Sequence, residues 1–489
     1  MTKITVKQTE YLDLCSNSFL QIQKTFFTMN YRKLFFTIFI IIYFLNNTFA
    51  NNEIEKDSSN NKFGIALEHG TFEFHTRTFF MSTTNRGDLS DYYALATGGG
   101  LGYFSPEWKG FSVGLSGFFT FSLAQNNLDK RDPITGGVNR YELLLFDMNH
   151  PENKKDLDRM DELFIKYHKK NLVLHFGRQS VHSPLMNKQD NRMRPNIYSG
   201  ISGIYKLNQS KFHLGLYHAL APRGTVDWYS IENSFGVYPF GRSVYGVPSD
   251  YKGNISSNGI AVAGYEFKKD KQHHQVWNYY ADNVFNLTFA QSDLEKDFKN
   301  FKGVLGMQGF YQTAINDGGN EDQFKSYIHK DEWTYGLGGR LGVKNKKHFL
   351  SLNYLHISHE GRFLFPREWG REQFYVSLPR ERLEGNGGVN SLVLRHEYLF
   401  EKPNIKTIFG GGYSNTSSLN NYFLNKYGMP SYYHLVGIID YRAKGYFEGL
   451  DIMLIVANKI AQNPEEVPDI YRINRVDLWN FNLVMDYRF

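Results

Sequence analysis

The sequence predicts an all-β chain: one transmembrane antiparallel β-barrel of about 18 strands with inward-folded loops. Three observations carry this reading. Strand-length segments alternate apolar with charged or polar residues. The chain ends in an unbroken apolar-polar alternation. Aromatic residues reach 16%, with 41 Phe, 33 Tyr and 44 Gly, yet mean hydropathy is only −0.46. Helical spans would need apolar runs of roughly 20 residues, and none occurs after residue 50. Two-faced strands that meet lipid on one side and water on the other produce this composition.

The single apolar run, 34–45 (LFFTIFIIIYFL), is too short for a helical span. Arg32 and Lys33 precede it, and small residues at Thr48 and Ala50 follow. This is the pattern of a secretory signal peptide over 29–50, cut near Ala50. Met29 opens that element, so 1–28 reads as an upstream extension, with Met1 or Met29 as the start. The one cysteine, Cys15, lies in this region. The mature chain, 51–489, therefore has neither disulfide nor thiol chemistry. Its net charge of +3, without long Lys/Arg runs, offers nothing to nucleic acid.

Polar residues 51–61 read as a flexible tail. Strand alternation then begins. Phe72, Phe74, Thr76, Thr78 and Phe80 share one face, and Glu73, His75 and Arg77 the other. Leu163, Ile165 and Tyr167 oppose Glu162, Lys166 and His168. Leu392, Leu394, His396, Tyr398 and Phe400 oppose Ser391, Val393, Arg395 and Glu397. A Lys or Arg facing lipid near the midplane costs about 2–4 kcal/mol, so these charges face a wet interior. At roughly 24 residues per strand and connection, the mature chain holds about 18 strands, within a range of 16 to 20. Polar stretches at 126–139, 147–161, 179–199, 221–258, 316–331, 361–389 and 461–475 are the loops. No fixed repeat, linker or plug-sized leading domain divides the barrel.

The last strand, VDLWNFNLVMDYRF, places Trp479, Phe481, Leu483, Met485, Tyr487 and Phe489 on one face. Such an aromatic edge is a hazard in a soluble protein. In a barrel it pairs with the first strand and meets lipid. It is also the expected signal to the barrel-assembly machinery, which places the chain in a Gram-negative outer membrane.

No catalytic, metal or cofactor pattern is present: there is no G-x-S-x-G, H-E-x-x-H or phosphate loop. His356 and His359, three apart on a strand, fall on opposite faces, which makes chelation unexpected, and His273-His274 reads as a polar turn. Gly98–Gly100 and Gly410–Gly412 suggest close packing or a bend. Loop 147–161, of mixed charge, reads as solvated.

Two arginine clusters stand out. Residues 177–195, GRQSVHSPLMNKQDNRMRP, carry Arg178, Asp190, Arg192 and Arg194. Residues 365–382, FPREWGREQFYVSLPRER, carry Arg367, Arg371, Arg380 and Arg382 among Glu368, Glu372 and Glu381. Arg395 adds a further inward cation. Arginines at a pore constriction select anions; arginines paired with neighbouring acids only pin loops.

These two segments resemble signature blocks of the OprD-like substrate-specific outer-membrane porins. The resemblance implies an 18-stranded barrel whose inward loops narrow the pore. It also implies an arginine track that guides small carboxylates, with Arg178, Asp190, Arg192 and Arg194 inside the matching block. Ser180–Ser183 and Lys188-Gln189 depart from it and leave the solute open. The expected function is passive uptake of small polar or anionic solutes, with Arg192→Ala or Arg194→Ala lowering anion preference. A non-channel barrel, for adhesion or lipid modification, is the alternative. Monomer and trimer both remain open.

Overall fold

The computed structural model describes residues 69–238 and 241–489. The leader, Cys15 and the polar tail lie outside these residues. Nineteen strands follow in sequence: β1 (Thr71–Asn85), β2 (Tyr92–Phe104), β3 (Phe111–Gln125), β4 (Asp158–Lys169), β5 (Leu172–Gln179), β6 (Ile197–Leu207), β7 (Ser210–Ala221), β8 (Tyr229–Ser230), β9 (Ile260–Lys269) and β10 (Gln272–Ala281). They continue as β11 (Phe285–Asp297), β12 (Lys302–Ala314), β13 (Trp333–Lys344), β14 (His348–Ile357), β15 (Val389–Phe400), β16 (Ile405–Asn415), β17 (Tyr432–Arg442), β18 (Leu450–Ala461) and β19 (Leu478–Arg488).

Each strand pairs antiparallel with its chain neighbours. The exception is β8, which adds two residues to the end of β7 while β7 itself continues to β9. Because β19 returns to β1, eighteen strands close the sheet and no edge is left. The seam is long, running from His75 opposite Arg488 to Asn85 opposite Leu478. Phe74 and Phe489 extend it by exchanging backbone hydrogen bonds of 2.9 and 3.1 Å.

Alternation sets which side each residue faces. Trp479 (48% exposed), Phe481, Leu483 and Met485 point outward from β19, while Asn480 and Asn482 are buried in the lumen. In β15, Leu392 and Leu394 are outward, and Ser391 and Val393 are buried. On β1, Phe72, Phe74 and Phe80 are outward and Arg77 is buried.

One end carries short turns, and in three of them the first residue takes a left-handed φ: Lys170, Asn208 and Asp270. Two-residue hairpin turns require this geometry, which Asn and Asp accept readily. The turn at 270–271 places His273 and His274 inside β10 rather than in a turn, because Asp270 takes the bend. The other end carries the long loops, here numbered L1 to L9; in bacterial barrels this end faces outward.

The loops do not stand in solvent. L7 (358–388) folds into the lumen, burying Phe363, Phe365, Trp369 and Phe374 among inward residues such as Phe285, Phe289 and Phe310. A bidentate Arg362–Glu332 pair, both bonds 2.8 Å, ties L7 to L6 (315–332). Leu378 of L7 packs where a side chain at Gly410 would stand, 2.5 Å from an added Cβ, so that glycine makes room for the loop.

Candidate functional site

L2 (126–157), L3 (180–196), L4 (222–259), L7, L8 (416–431) and L9 (462–477) meet in the lumen around a cavity of about 100 Å³. Eight arginines and one lysine line it: Arg140, Arg192, Arg223, Arg367, Arg371, Arg380, Arg382, Arg475 and Lys459. Glu381 is the one acid in this lining. Tyr141, Tyr238, Gln189 and Asn191 complete the polar wall.

These cations fall into two groups. Three are neutralised locally: Arg367 bonds Glu384 at 2.6 Å, Arg382 lies 3.2 Å from Glu372, and Lys459 lies 3.0 Å from Glu381. The other six, Arg140, Arg192, Arg223, Arg371, Arg380 and Arg475, have no carboxylate partner among the described residues. Neutral groups hold them in place. Arg371 donates to the carbonyls of Leu378 and Glu381. Arg380 donates to the side-chain oxygens of Asn480 (2.7 Å) and Asn482 on β19. Arg223 donates to Asn191, and Arg192 to the Asn191 carbonyl at 2.7 Å.

The electrostatic consequence separates the groups. Burial, then the charges of Arg380 and Arg223, hold the Arg192 guanidinium well below its ordinary value. Burial draws Arg223 and Arg380 down to about 10, and burial with Arg140 and Arg242 brings Arg475 to about 9. Arg367 moves the other way: burial opposes it, but Tyr427 and Glu384 raise it. Arginine keeps its proton at neutral pH throughout. The lowered values therefore reflect guanidinium charge buried without a carboxylate in direct contact.

The structure brings five of the nine sequence-predicted cluster residues to this constriction: Arg192, Arg367, Arg371, Arg380 and Arg382. Four lie elsewhere. Arg178 pairs in register with Leu163, on the face that Ile165 and Phe176 present outward, and stacks 4.3 Å over Trp228. Strand alternation turns it away from the lumen. Arg194 is wholly buried and spends its guanidinium on the carbonyls of Leu157 (2.6 Å) and Phe146 (2.7 Å), stapling L3 to L2. Asp190 bonds Arg77 at 2.5 Å and faces Arg488. Arg395 sits on the β15 wall beside Glu397 at 2.9 Å.

Sequence reasoning missed Arg140, Arg223, Lys459 and Arg475. Each is a lone cation within or beside a segment read as loop or strand, and nothing local marks it; only the convergence of separate loops does. His356 and His359 also differ from expectation. Their rings lie 6.2 Å apart because β14 stops at Ile357 and alternation no longer governs His359.

A closed 18-stranded antiparallel barrel is the fold of the OprD/Occ outer-membrane porin structures. The comparisons with solved structures show that fold. The OpdK structure with vanillate from Pseudomonas aeruginosa superposes with a TM-score of 0.64 at 15% identity, covering 86% of this chain and 99% of that one. OccK9 (OpdG) from the same organism gives 0.67 at 14%, covering 86% and 99%. Acinetobacter baumannii OccAB4 gives 0.66 at 14%, covering 86% and 98%. No protein-family profile and no curated protein sequence matches the chain.

Proposed function

We propose that this chain is a passive outer-membrane porin whose constriction passes small anionic solutes, carboxylates among them. The six arginines without a carboxylate partner carry the reading. They present fixed, desolvated positive charge where the lumenal loops meet, and there a permeating anion supplies a counter-charge and a cation is repelled. Planar guanidinium forks suit carboxylate oxygens. The neighbour OpdK is described with vanillate, a carboxylate, which supports the class without fixing the solute.

The test is reversal potential in planar bilayers under a KCl gradient. The wild-type channel is expected to prefer chloride, and Arg192→Ala to lower the anion-to-cation permeability ratio at least about twofold, as the loss of one partly screened charge dictates. Liposome swelling with small carboxylates separates a channel from an adhesion or lipid-modifying barrel. A purified, folded barrel that conducts nothing, or that prefers cations, would overturn the proposal.

A further inference from the structure

Beyond the constriction, L2 and L4 bring together three side chains that the channel reading does not use. One carboxylate oxygen of Asp147, one of Asp227 and an imidazole nitrogen of His150 lie within 4.8 Å of one another. Asp147 has no solvent exposure. Its Oδ1 accepts the Asn149 N–H at 3.1 Å, while its Oδ2 is buried with no hydrogen-bond partner. An unmade hydrogen bond to a buried group costs about 1–3 kcal/mol, more when the group is charged. Asp227 adds a second negative charge beside it.

His150 Nε2 lies 3.9 Å from Asp227 Oδ2, and its Nδ1 lies 3.6 Å from Glu152 Oε1. A divalent cation held among the three groups would satisfy the unpartnered Asp147 Oδ2 and screen the two carboxylates from each other.

We infer that Asp147, His150 and Asp227 bind one divalent transition-metal cation of the zinc type, clasping L2 to L4. One imidazole and two carboxylates are a donor set for such ions rather than for calcium or magnesium. Zinc–ligand distances of about 2.0–2.2 Å require the donors to close by about 1 Å. His150 and Asp227 are exposed loop residues with room to do so. The two loops already touch here, the Met148 N–H donating to Gly224 O at 2.8 Å and the Asn149 side chain to the Tyr229 hydroxyl. Met148 and Arg223 also line the constriction, so the ion would fix the spacing between two sides of its rim.

The experiment is metal binding by the full chain, purified in detergent free of lipopolysaccharide, stripped with chelator and titrated with Zn²⁺ by calorimetry and Co²⁺ by visible absorption. One equivalent is expected, with d–d bands that report imidazole ligation. His150→Ala and Asp147→Asn should each weaken binding at least about 10-fold, and His359→Ala should leave it unchanged. Heat-modifiable gel migration verifies folding, and the exposed His150 keeps the test available if the buried Asp147 variant does not fold. Absence of binding at millimolar Zn²⁺, or stoichiometric binding that survives His150→Ala, would overturn the site. Neither outcome depends on conductance, so the channel proposal stands or falls separately.

Discussion

Arg192 and Arg194 lie two residues apart in one motif and have opposite fates. Arg194 is spent on two carbonyls, so Arg194→Ala leaves that of Phe146 unpaired at about 1–3 kcal/mol and that of Leu157 with the Thr120 N–H alone. We expect that variant to gain protease cleavage in L2 and L3 and a noisier conductance. Lysine should not rescue it, because one ammonium cannot reproduce the planar fork that reaches both oxygens. Arg192→Ala should keep the protease resistance and change selectivity alone. The residue types alone do not separate the two. Within a loop no period fixes which side chain faces the lumen, and the difference emerges only when L2 packs against L3.

Among the elements, L7 shows why the strands were legible and the constriction only in part. Lipid on one face and water on the other impose strict alternation, so β1, β15 and β19 could be assigned to their faces from sequence. L7 obeys no such rule. Its interleaved acids allowed either pinning or selectivity: Arg367 and Arg382 are pinned by Glu384 and Glu372, while Arg371 and Arg380 have no carboxylate partner among the described residues and are held by carbonyls and amides. The pin to L6 is testable. Arg362→Ala strands the buried Glu332 carboxylate at a cost of about 3–5 kcal/mol, and should raise hydrogen exchange across L7 and enlarge the conductance. A pH effect belongs here as well. Burial raises the Glu368 carboxyl to about 7, against the Tyr238 N–H that it accepts and with Glu384 and Lys426 nearby. A carboxyl raised in the fold favours its protonated form. Its stabilising contribution is complete below the ordinary carboxyl range and is lost as pH rises through about 7. L7 exchange, corrected for the intrinsic base catalysis of amide exchange, should therefore quicken between pH 5 and 8, and Glu368→Gln should flatten the corrected profile.

For the molecule as a whole, closure depends on the seam. Phe489 exchanges two backbone hydrogen bonds with Phe74 and stacks on its ring at 5.2 Å. Deleting Phe489 should lower the yield of heat-modifiable barrel without altering the channels that do form. The terminal alternation was visible in the sequence because it must be continuous to face lipid. The partners that seal it from within were not, since Arg77 and Asp486 are separated by 409 positions.

That pair has a consequence for the order of construction. Arg77 on β1 grips Asp486 on β19 at 2.6 Å and, with the same guanidinium, Asp190 and the Arg192 carbonyl of L3. The first and last strands must be neighbours before this three-way junction exists, and L3 is seated by the junction. A barrel whose first and last strands are not yet joined lacks this anchor for L3, so closing the cylinder and seating the loop that carries Arg192 are coupled.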